Sequence, residues 1–414
     1  MIEKQICANG VRIIHEHMPY VQSVALGVWI EAGSADEKEV ESGIAHFIEH
    51  MLFKGTGTRS ARMIAEEFDR IGGDINAFTS KEATCFFATV LNNHSGKALS
   101  ILADMFFNST FLDEEIEKEK SVIFDEIAAV EDTPDDDVHE ILWENMYRNH
   151  SIGRPVLGKE KTIETFNKEM ILNFMERMYR PERIVISVAG NYDEELIQQI
   201  EKEFGSFQSK EQHVEMDLEI PEFFEGVWIK EKDIEQAQLC IGFPGISLGD
   251  PNMYDLAILD SIIGGAMSSR LFQEVREERG LAYSVYSYYS SYINSGAFVI
   301  YAGTSPEKLS ELYSTINDVI DSILEKGVTD NEILNAKEQL KGGFILGLES
   351  SESRMNRNGN NELLLKRHLT IDEVISRIDG VNAEGILRMA QSIFVNKRSN
   401  SIIGPKEIVH RIKF

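Results

Sequence analysis

The sequence predicts an α+β protein made of two similar halves related by internal duplication, each a mostly antiparallel sheet flanked by helices. Three observations lead there. The chain has 414 residues, room for two or three domains at about 100–200 residues each. Strand-like and helix-like segments are interleaved along its whole length. Their order in the first half recurs in the second. VALGVWIEAGS from Val24 aligns with AQLCIGFPGIS from Ala237 at an offset of 213. GGDINAFT from Gly72 resembles RGLAYSVY from Arg279 in place and pattern. LDEEIEKEKSVIFDE from Leu112 aligns with TDNEILNAKEQLKGG from Thr329 at an offset of 217, and SVAG at Ser187 with SIIG at Ser401 at an offset of 214. Offsets that drift by so little mean small loop insertions in a repeated scaffold.

The elements follow in order. GVRIIHEHMP and VQSVALGVWIEAG are apolar, β-branched runs bounded by turn formers, and read as strands. ESGIAHFIEHMLFK, residues 41–54, reads as a helix ended by Gly55, and SARMIAEEFDRIGG as a helix closed by Gly72 and Gly73. INAFTSKEATCFFATVL reads as two strands and NHSGKALSILADMFFNS as a helix; a longer helix starts near Asp113. RIVISVAGNYD, residues 183–193, is a further strand. The polar stretch SKEQHVEMDLEIP at 209–221 is the linker candidate, which divides the chain into a first domain at 1–208 and a second at 222–414.

Composition excludes several classes. The 41 Lys and Arg against 69 Asp and Glu leave a net charge of −28, the wrong sign for nucleic acid as the main partner. With 43 % hydrophobic and 27 % charged residues the chain is not disordered. Three cysteines (Cys7, Cys85, Cys240) with no CxxC pattern argue against a disulfide framework and for a reducing compartment. The opening MIEKQICANGVRIIHEHMP has no apolar core of a secretory signal and is too acidic for a transit peptide. No run approaches the roughly 18 apolar residues of a membrane span. A cytoplasmic protein with no membrane partner is expected.

Chemistry concentrates at His46-Phe-Ile-Glu49-His50. On a helix, His50 lies about 40° from His46 and Glu49 about 60° to the other side, so all three fit within an arc of roughly 100°. Two imidazoles at this spacing can grip one metal ion with a carboxylate beside it, the HExxH zinc pattern read backwards. Zinc leaves a position for water and lowers its pKa to about 7, and Glu49 is then placed as general base. Two ordinary histidines on a helix are the plain alternative. The helix from Asp113 argues against it. Ile116, Ile123, Ile127 and Val130 form one apolar stripe, and Glu119 and Glu126 lie on its edge, about 60° and 80° from Ile116. Carboxylates there face partial burial, which is costly without a cation or donors. A zinc site with two histidines lacks one protein ligand, which such a carboxylate can supply. The duplication provides a check. His46, Glu49 and His50 map to Leu259, Ile262 and Ile263, and Glu119 and Glu126 to Ala336 and Gly343. The polar set occurs in one copy only, as a functional site would.

HxxEH followed 76 residues later by Glu126 resembles the pitrilysin/insulinase group of zinc peptidases, the inverzincins, and most nearly the branch of the β-subunit of mitochondrial processing peptidase and its bacterial relatives. The resemblance covers essentially the whole chain. It implies one Zn2+ per chain held by His46, His50 and Glu126, with Glu49 as base and Glu119 as a supporting acid. It implies that Asn76 and Ala77 form an edge strand along which substrate is laid, and that Phe53 lines the pocket just after the cleaved bond. Asp136 and Glu140 are implied to hold an arginine shortly before that bond. Arg276 and Tyr283 are implied to complete the site from the second domain. The implied architecture is a clamshell whose halves close around an unfolded peptide. The glycine-rich loop of the partner α-subunit is absent, which implies a homodimer.

The expected activity is endopeptidase cleavage of short to medium peptides. Thirteen acidic against two basic residues between 113 and 140 favour basic ones. The second reading is a non-catalytic scaffold on the same fold, but relatives of that kind usually lose ligands or base, and the set here is complete. The remaining signals are weaker. His15 and His17 are two apart on a strand without a third partner and read as surface histidines. Gly264 and Gly265 lack the Lys-Ser/Thr of a phosphate loop, and no GxSxG elbow is present. Tyr283, Tyr286, Tyr288, Tyr289 and Tyr292 read as core or cavity lining, and Cys85 and Cys240 as buried and inert.

Overall fold

A computed structural model describes residues 2–208 and 219–410. The strands are β1 (Ile2–Ile6), β2 (Arg12–His17), β3 (Ser23–Ile30), β4 (Asp74–Thr79), β5 (Thr84–Leu91), β6 (Ile184–Gly190), β7 (Gly226–Glu231), β8 (Ala237–Pro244), β9 (Ala282–Tyr292), β10 (Ser295–Thr304) and β11 (Ser399–Gly404). Helices of the first half are α1 (Ile44–Leu52), α2 (Ala61–Ile71), α3 (Ser95–Asn108), α4 (Asp113–Asp132), α5 (Pro134–Met146), α6 (Glu160–Ile163), α7 (Lys168–Met178) and α8 (Glu194–Phe204). Those of the second half are α9 (Met253–Ile263), α10 (Leu309–Lys326), α11 (Asp330–Gly347), α12 (Ser351–Asn360), α13 (Ile371–Gly380), α14 (Ala383–Phe394) and α15 (Lys406–Val409). Most of the linker expected at 209–221 lies outside the described residues.

The duplication is borne out by the two sheets. The first runs β1-β2-β6-β3-β5-β4 and the second β7-β11-β8-β10-β9. In each, one pair is parallel (β2 with β6, β7 with β11) and the rest are antiparallel. Position for position, β2, β6, β3, β5 and β4 answer β7, β11, β8, β10 and β9; β1 is an addition to the first sheet. Leu259, Ile262 and Ile263, which stand where the first copy has His46, Glu49 and His50, are buried core residues of the second.

The contacts divide the chain into two compact units, and these are not sequential. One contains residues 2–128, 154–208 and 347–368, the other 129–153, 219–346 and 369–410. The division expected at 1–208 and 222–414 therefore misses an exchange of two segments. The cause lies in the central strands. β3 and β6 are apolar on both faces and are buried almost throughout. Side chains alternate across a strand. Val24, Leu26, Val28 and Ile30 of β3 pack into the core formed with helices of the first half. Ala25 and Trp29 point to the other face, where Met355 and Leu363 join them. That second face needs a cover, and α12 supplies it from the second half of the sequence. The approach is close. A Cβ on Gly27 would meet Met355 Sδ at 2.4 Å, so any larger residue there would have to displace the Met355 side chain. In the other unit α5 plays the same part, with Leu142 and Met146 over Gly242 of β8 and the Ser401 hydroxyl donating to the Val138 carbonyl.

The cysteine reading holds: Cys7, Cys85 and Cys240 are free and buried, and burial raises all three thiol pKa values. The reading of His15 does not. His15 is buried, with Nδ1 2.8 Å from the Tyr192 hydroxyl; His17 is exposed and meets the same ring edge-on. Tyr192 follows β6, whose parallel pairing with β2 brings it over His15. Among the tyrosines, Tyr286 and Tyr288 bond His139, whereas Tyr283 is 76 % exposed and not core. Among the described residues no helix is long and apolar enough to cross a membrane.

Candidate metal centre

α1 carries the first part of the site. Gly43 precedes it at a φ of 96°, a left-handed conformation that suits glycine. The buried Glu37 carboxylate caps the helix, accepting from the Gly43 and Ala45 amides at 2.8 and 2.9 Å. Burial pushes this carboxyl up to about 8, against those two amides and the nearby Arg154 charge. Within α1, Ile44, Ala45, Phe47, Ile48, Met51 and Leu52 are buried. The three residues left partly open are His46, Glu49 and His50. Core packing of the apolar face thus sets the direction of the polar one.

α4 supplies the second part. Ile116 and Ile123 anchor it in the core, Glu119 is buried, and Glu126 is partly exposed. His46 Nε2 lies 3.9 Å from Glu126 Oε2 and His50 Nε2 lies 3.8 Å from Glu126 Oε1. The three ligand atoms all fall within 4.8 Å of one another. The 3.8 and 3.9 Å separations are too long for hydrogen bonds. They are a few tenths of an ångström above the roughly 3.3 Å between donors on a tetrahedral zinc with bonds of about 2.0–2.1 Å. His50 Nδ1 is held at 2.7 Å by Glu119 Oε1, which leaves Nε2 as the free nitrogen facing the cluster. Among the described residues His46 Nδ1 is buried without a hydrogen-bond partner. Two imidazole nitrogens and one carboxylate fit a divalent ion of borderline softness and leave a coordination position open.

Electrostatics are consistent with that fit. Burial, aided by the charge of His50, lowers His46 to about 4, so it is neutral near pH 7 and has a lone pair to offer. Burial also pulls His50 down, but the hydrogen bond to Glu119 and the charges of Glu126, Glu119 and Glu49 outweigh it and raise its pKa. For Glu119 burial is outweighed by the bonds from His50 and Lys54, and its pKa falls. Glu49 is raised by burial, against a hydrogen bond from Thr79.

The remaining expected site residues divide between the units. Phe53, Asn76 and Ala77 belong to the unit that holds α1. Phe53 and Ala77 pack against its core. β4 is an outer strand, paired among the described residues with β5 alone. The Ala77 amide donates at 2.8 Å to the Asn76 side chain. Asp136 and Glu140 lie one turn apart on α5, in the other unit, where Asp137 is held by Lys230 at 2.5 Å. Arg276 and Tyr283 also lie in that unit and meet each other: the guanidinium sits 4.6 Å from the Tyr283 ring and 4.8 Å from that of Phe272. Sequence reasoning missed Glu37, Thr79 and Lys54. Thr79 shares a strand face with Ala77, and Lys54 follows His50 by one helical turn, so period 2 and period 3.6 spacing could have found both.

A duplicated α+β chain whose candidate divalent-metal cluster, among the described residues, lies in one copy only is built as the two-domain zinc peptidases are. The chain belongs to the pitrilysin/insulinase family. Residues 12–160 match the family described as insulinase (peptidase family M16), and residues 165–340 match the peptidase M16 inactive domain. A Bacillus subtilis zinc protease, YmxG, is 50 % identical over 405 residues, covering 98 % of both chains. A Rickettsia felis zinc protease is 39 % identical over 402 residues, covering 97 % of both. Among solved structures, a protease from Helicobacter pylori has a TM-score of 0.91 at 20 % identity, covering 98 % of this chain and 99 % of that one. A peptidase M16 inactive domain from Pseudomonas fluorescens has a TM-score of 0.91 at 21 % identity, covering 98 % of both. The expected fold and family are therefore borne out.

Proposed function

We propose that this member of a peptidase family is a zinc-dependent endopeptidase with one Zn2+ per chain, held by His46, His50 and Glu126. The observation that carries the reading is the convergence of those three side chains beside Glu49. Bound zinc would polarise the scissile carbonyl and acidify an attacking water. Glu49 takes the proton from that water and delivers it to the leaving amine. The Thr79 hydroxyl, 2.5 Å from Glu49 Oε2, keeps that carboxylate in one orientation. Glu119 steadies His50. Arg276 and Tyr283, joined by their cation–π contact, are assigned to the peptide or to the developing oxyanion.

Substrate is proposed to add as a strand beside β4. The Ala77 amide is bonded to its neighbour's side chain, so an incoming carbonyl can replace Asn76 Oδ1 without breaking the β4–β5 ladder. Backbone pairing of this kind is tolerant of sequence. Preference then comes from pockets, Phe53 after the cleaved bond and Asp136 and Glu140 for a basic side chain before it. The substrates are unfolded, basic peptides of short to medium length. A homodimer without a separate partner subunit, working in the cytoplasm and not on nucleic acid, completes the reading.

The test is metal analysis of the purified protein together with cleavage of a quenched basic peptide, with and without a chelator. Stoichiometric zinc and chelator-sensitive cleavage support the enzyme. A protein that binds no divalent ion and cleaves nothing would be the scaffold instead.

A further inference from the structure

We propose that Lys54 is a positioning residue of the metal site, acting through Glu119 to hold His50; this rests on the zinc reading above. The Glu119 side chain is 3 % exposed, and its two oxygens are divided between two partners. Oε1 lies 2.7 Å from His50 Nδ1, and Oε2 lies 2.5 Å from Lys54 Nζ. A buried carboxylate needs its charge and its lone pairs satisfied, and here Lys54 supplies the only cationic amine on it among the described residues. The pairing also locks the carboxylate plane, because rotating the group to reach either partner differently breaks the other contact.

The two imidazoles are unequal in support. Among the described residues His46 Nδ1 is buried without a hydrogen-bond partner, whereas His50 Nδ1 is tied to Glu119. The chain from Lys54 through Glu119 to His50 is therefore the polar brace on the imidazole pair. The backbone sets up its first link. The Lys54 amide donates to the Met51 carbonyl at 3.1 Å and the Phe53 amide to His50 at 3.1 Å, so the turn that ends α1 fixes Lys54 relative to His50. A lysine at the end of a helix is also favourably placed against its dipole. Without Lys54, Oε2 of Glu119 would be a buried acceptor with no cation, and the carboxylate would turn toward solvent or draw water in. The His50 ring would then lose the partner that aims its Nε2.

The experiment compares the unmodified protein, Lys54→Met, Lys54→Arg and Glu119→Gln. Zinc affinity is measured by competition with a chromophoric chelator, and folding by circular dichroism and Tm. Removing a positive charge near a dication would by itself tighten binding, so a loss is diagnostic of positioning. Outer partners of ligating histidines are typically worth about 10–100-fold in metal affinity. Lys54→Met and Glu119→Gln are expected to weaken zinc binding by about that factor in a folded protein, with Lys54→Arg restoring it to within about threefold. Zinc bound as tightly by folded Lys54→Met as by the unmodified protein would overturn the role of Lys54 and leave the enzyme reading standing. No zinc bound by the unmodified protein would overturn both.

Discussion

The Thr79 hydroxyl donates to Glu49 Oε2 at 2.5 Å, joining the end of an outer strand to the candidate base on a neighbouring helix. The bond holds one of the two carboxylate oxygens. Replacing Thr79 with Val keeps the β-branched shape and deletes the donor. A hydrogen bond to a charged group is worth about 1.5–3 kcal/mol. Thr79→Val is therefore expected to lower kcat by on the order of 10-fold with KM little changed, since the loss falls on the chemical step. Steady-state kinetics on one peptide separate the two parameters; a rise in KM alone would assign Thr79 to substrate binding.

Glu49→Gln preserves volume and a hydrogen-bond acceptor but cannot take a proton. Zinc content and Tm should match the unmodified protein, while kcat falls by about 10²–10⁴-fold, the usual weight of a general base. Near-native turnover by this variant would remove Glu49 from the mechanism.

His46→Ala and Glu126→Ala each delete one of three converging ligand atoms. Purified variants should carry well under one zinc per chain by elemental analysis. Their peptide cleavage should not return on adding the stoichiometric zinc that restores a chelated unmodified protein. A full complement of tightly held zinc in Glu126→Ala would place the third ligand elsewhere.

Charge should govern selectivity. Matched basic and acidic quenched peptides at low ionic strength should differ in kcat/KM in favour of the basic one. Added salt should shrink the gap as screening grows. Asp136→Asn combined with Glu140→Gln should narrow it too, with the acidic peptide little affected. Equal cleavage of both peptides by the unmodified protein would count against these carboxylates.

Away from the site, burial pushes the Asp260 carboxyl up to about 6 from an ordinary 3.8, against a 2.6 Å bond from the Ser287 hydroxyl. A raised acid favours the fold only while protonated. Stability from this group is fully present below about pH 4 and is lost as pH rises through about 6; at most about 3 kcal/mol is involved at 1.36 kcal/mol per unit. Asp260→Asn should melt above the unmodified protein at pH 7.5, with the difference vanishing toward pH 4. Parallel melting curves at both pH values would contradict this.

Much of the fold was legible because the signals are local. Apolar, β-branched runs such as Ser23–Ile30 and the spacing of Ile116 and Ile123 are written in neighbouring residues, and the near-constant offset exposed the second copy. The exchange of α5 and α12 was not legible. An apolar strand face demands a cover but does not say which helix provides it, and Met355 reaches Gly27 and Trp29 across more than three hundred residues. His15 was misread for the same reason, since Tyr192, which shields it, is far away in the chain. At the candidate site, His46, Glu49 and His50 were visible as one helical face, and Glu126 came from the edge of an apolar stripe together with the family resemblance.

By itself the sequence determined the chemical inventory: two imidazoles and a base on one arc, acids on a second helix, and apolar residues at the same places in the other copy. Tertiary structure alone decided which atoms meet. Periodicity sets the face of an element, but the 2.5 Å contacts of Thr79 with Glu49 and of Lys54 with Glu119 depend on how β4, α1 and α4 pack over a shared core. That packing is a property of the whole unit, because each side chain's position is settled by neighbours from distant parts of the chain.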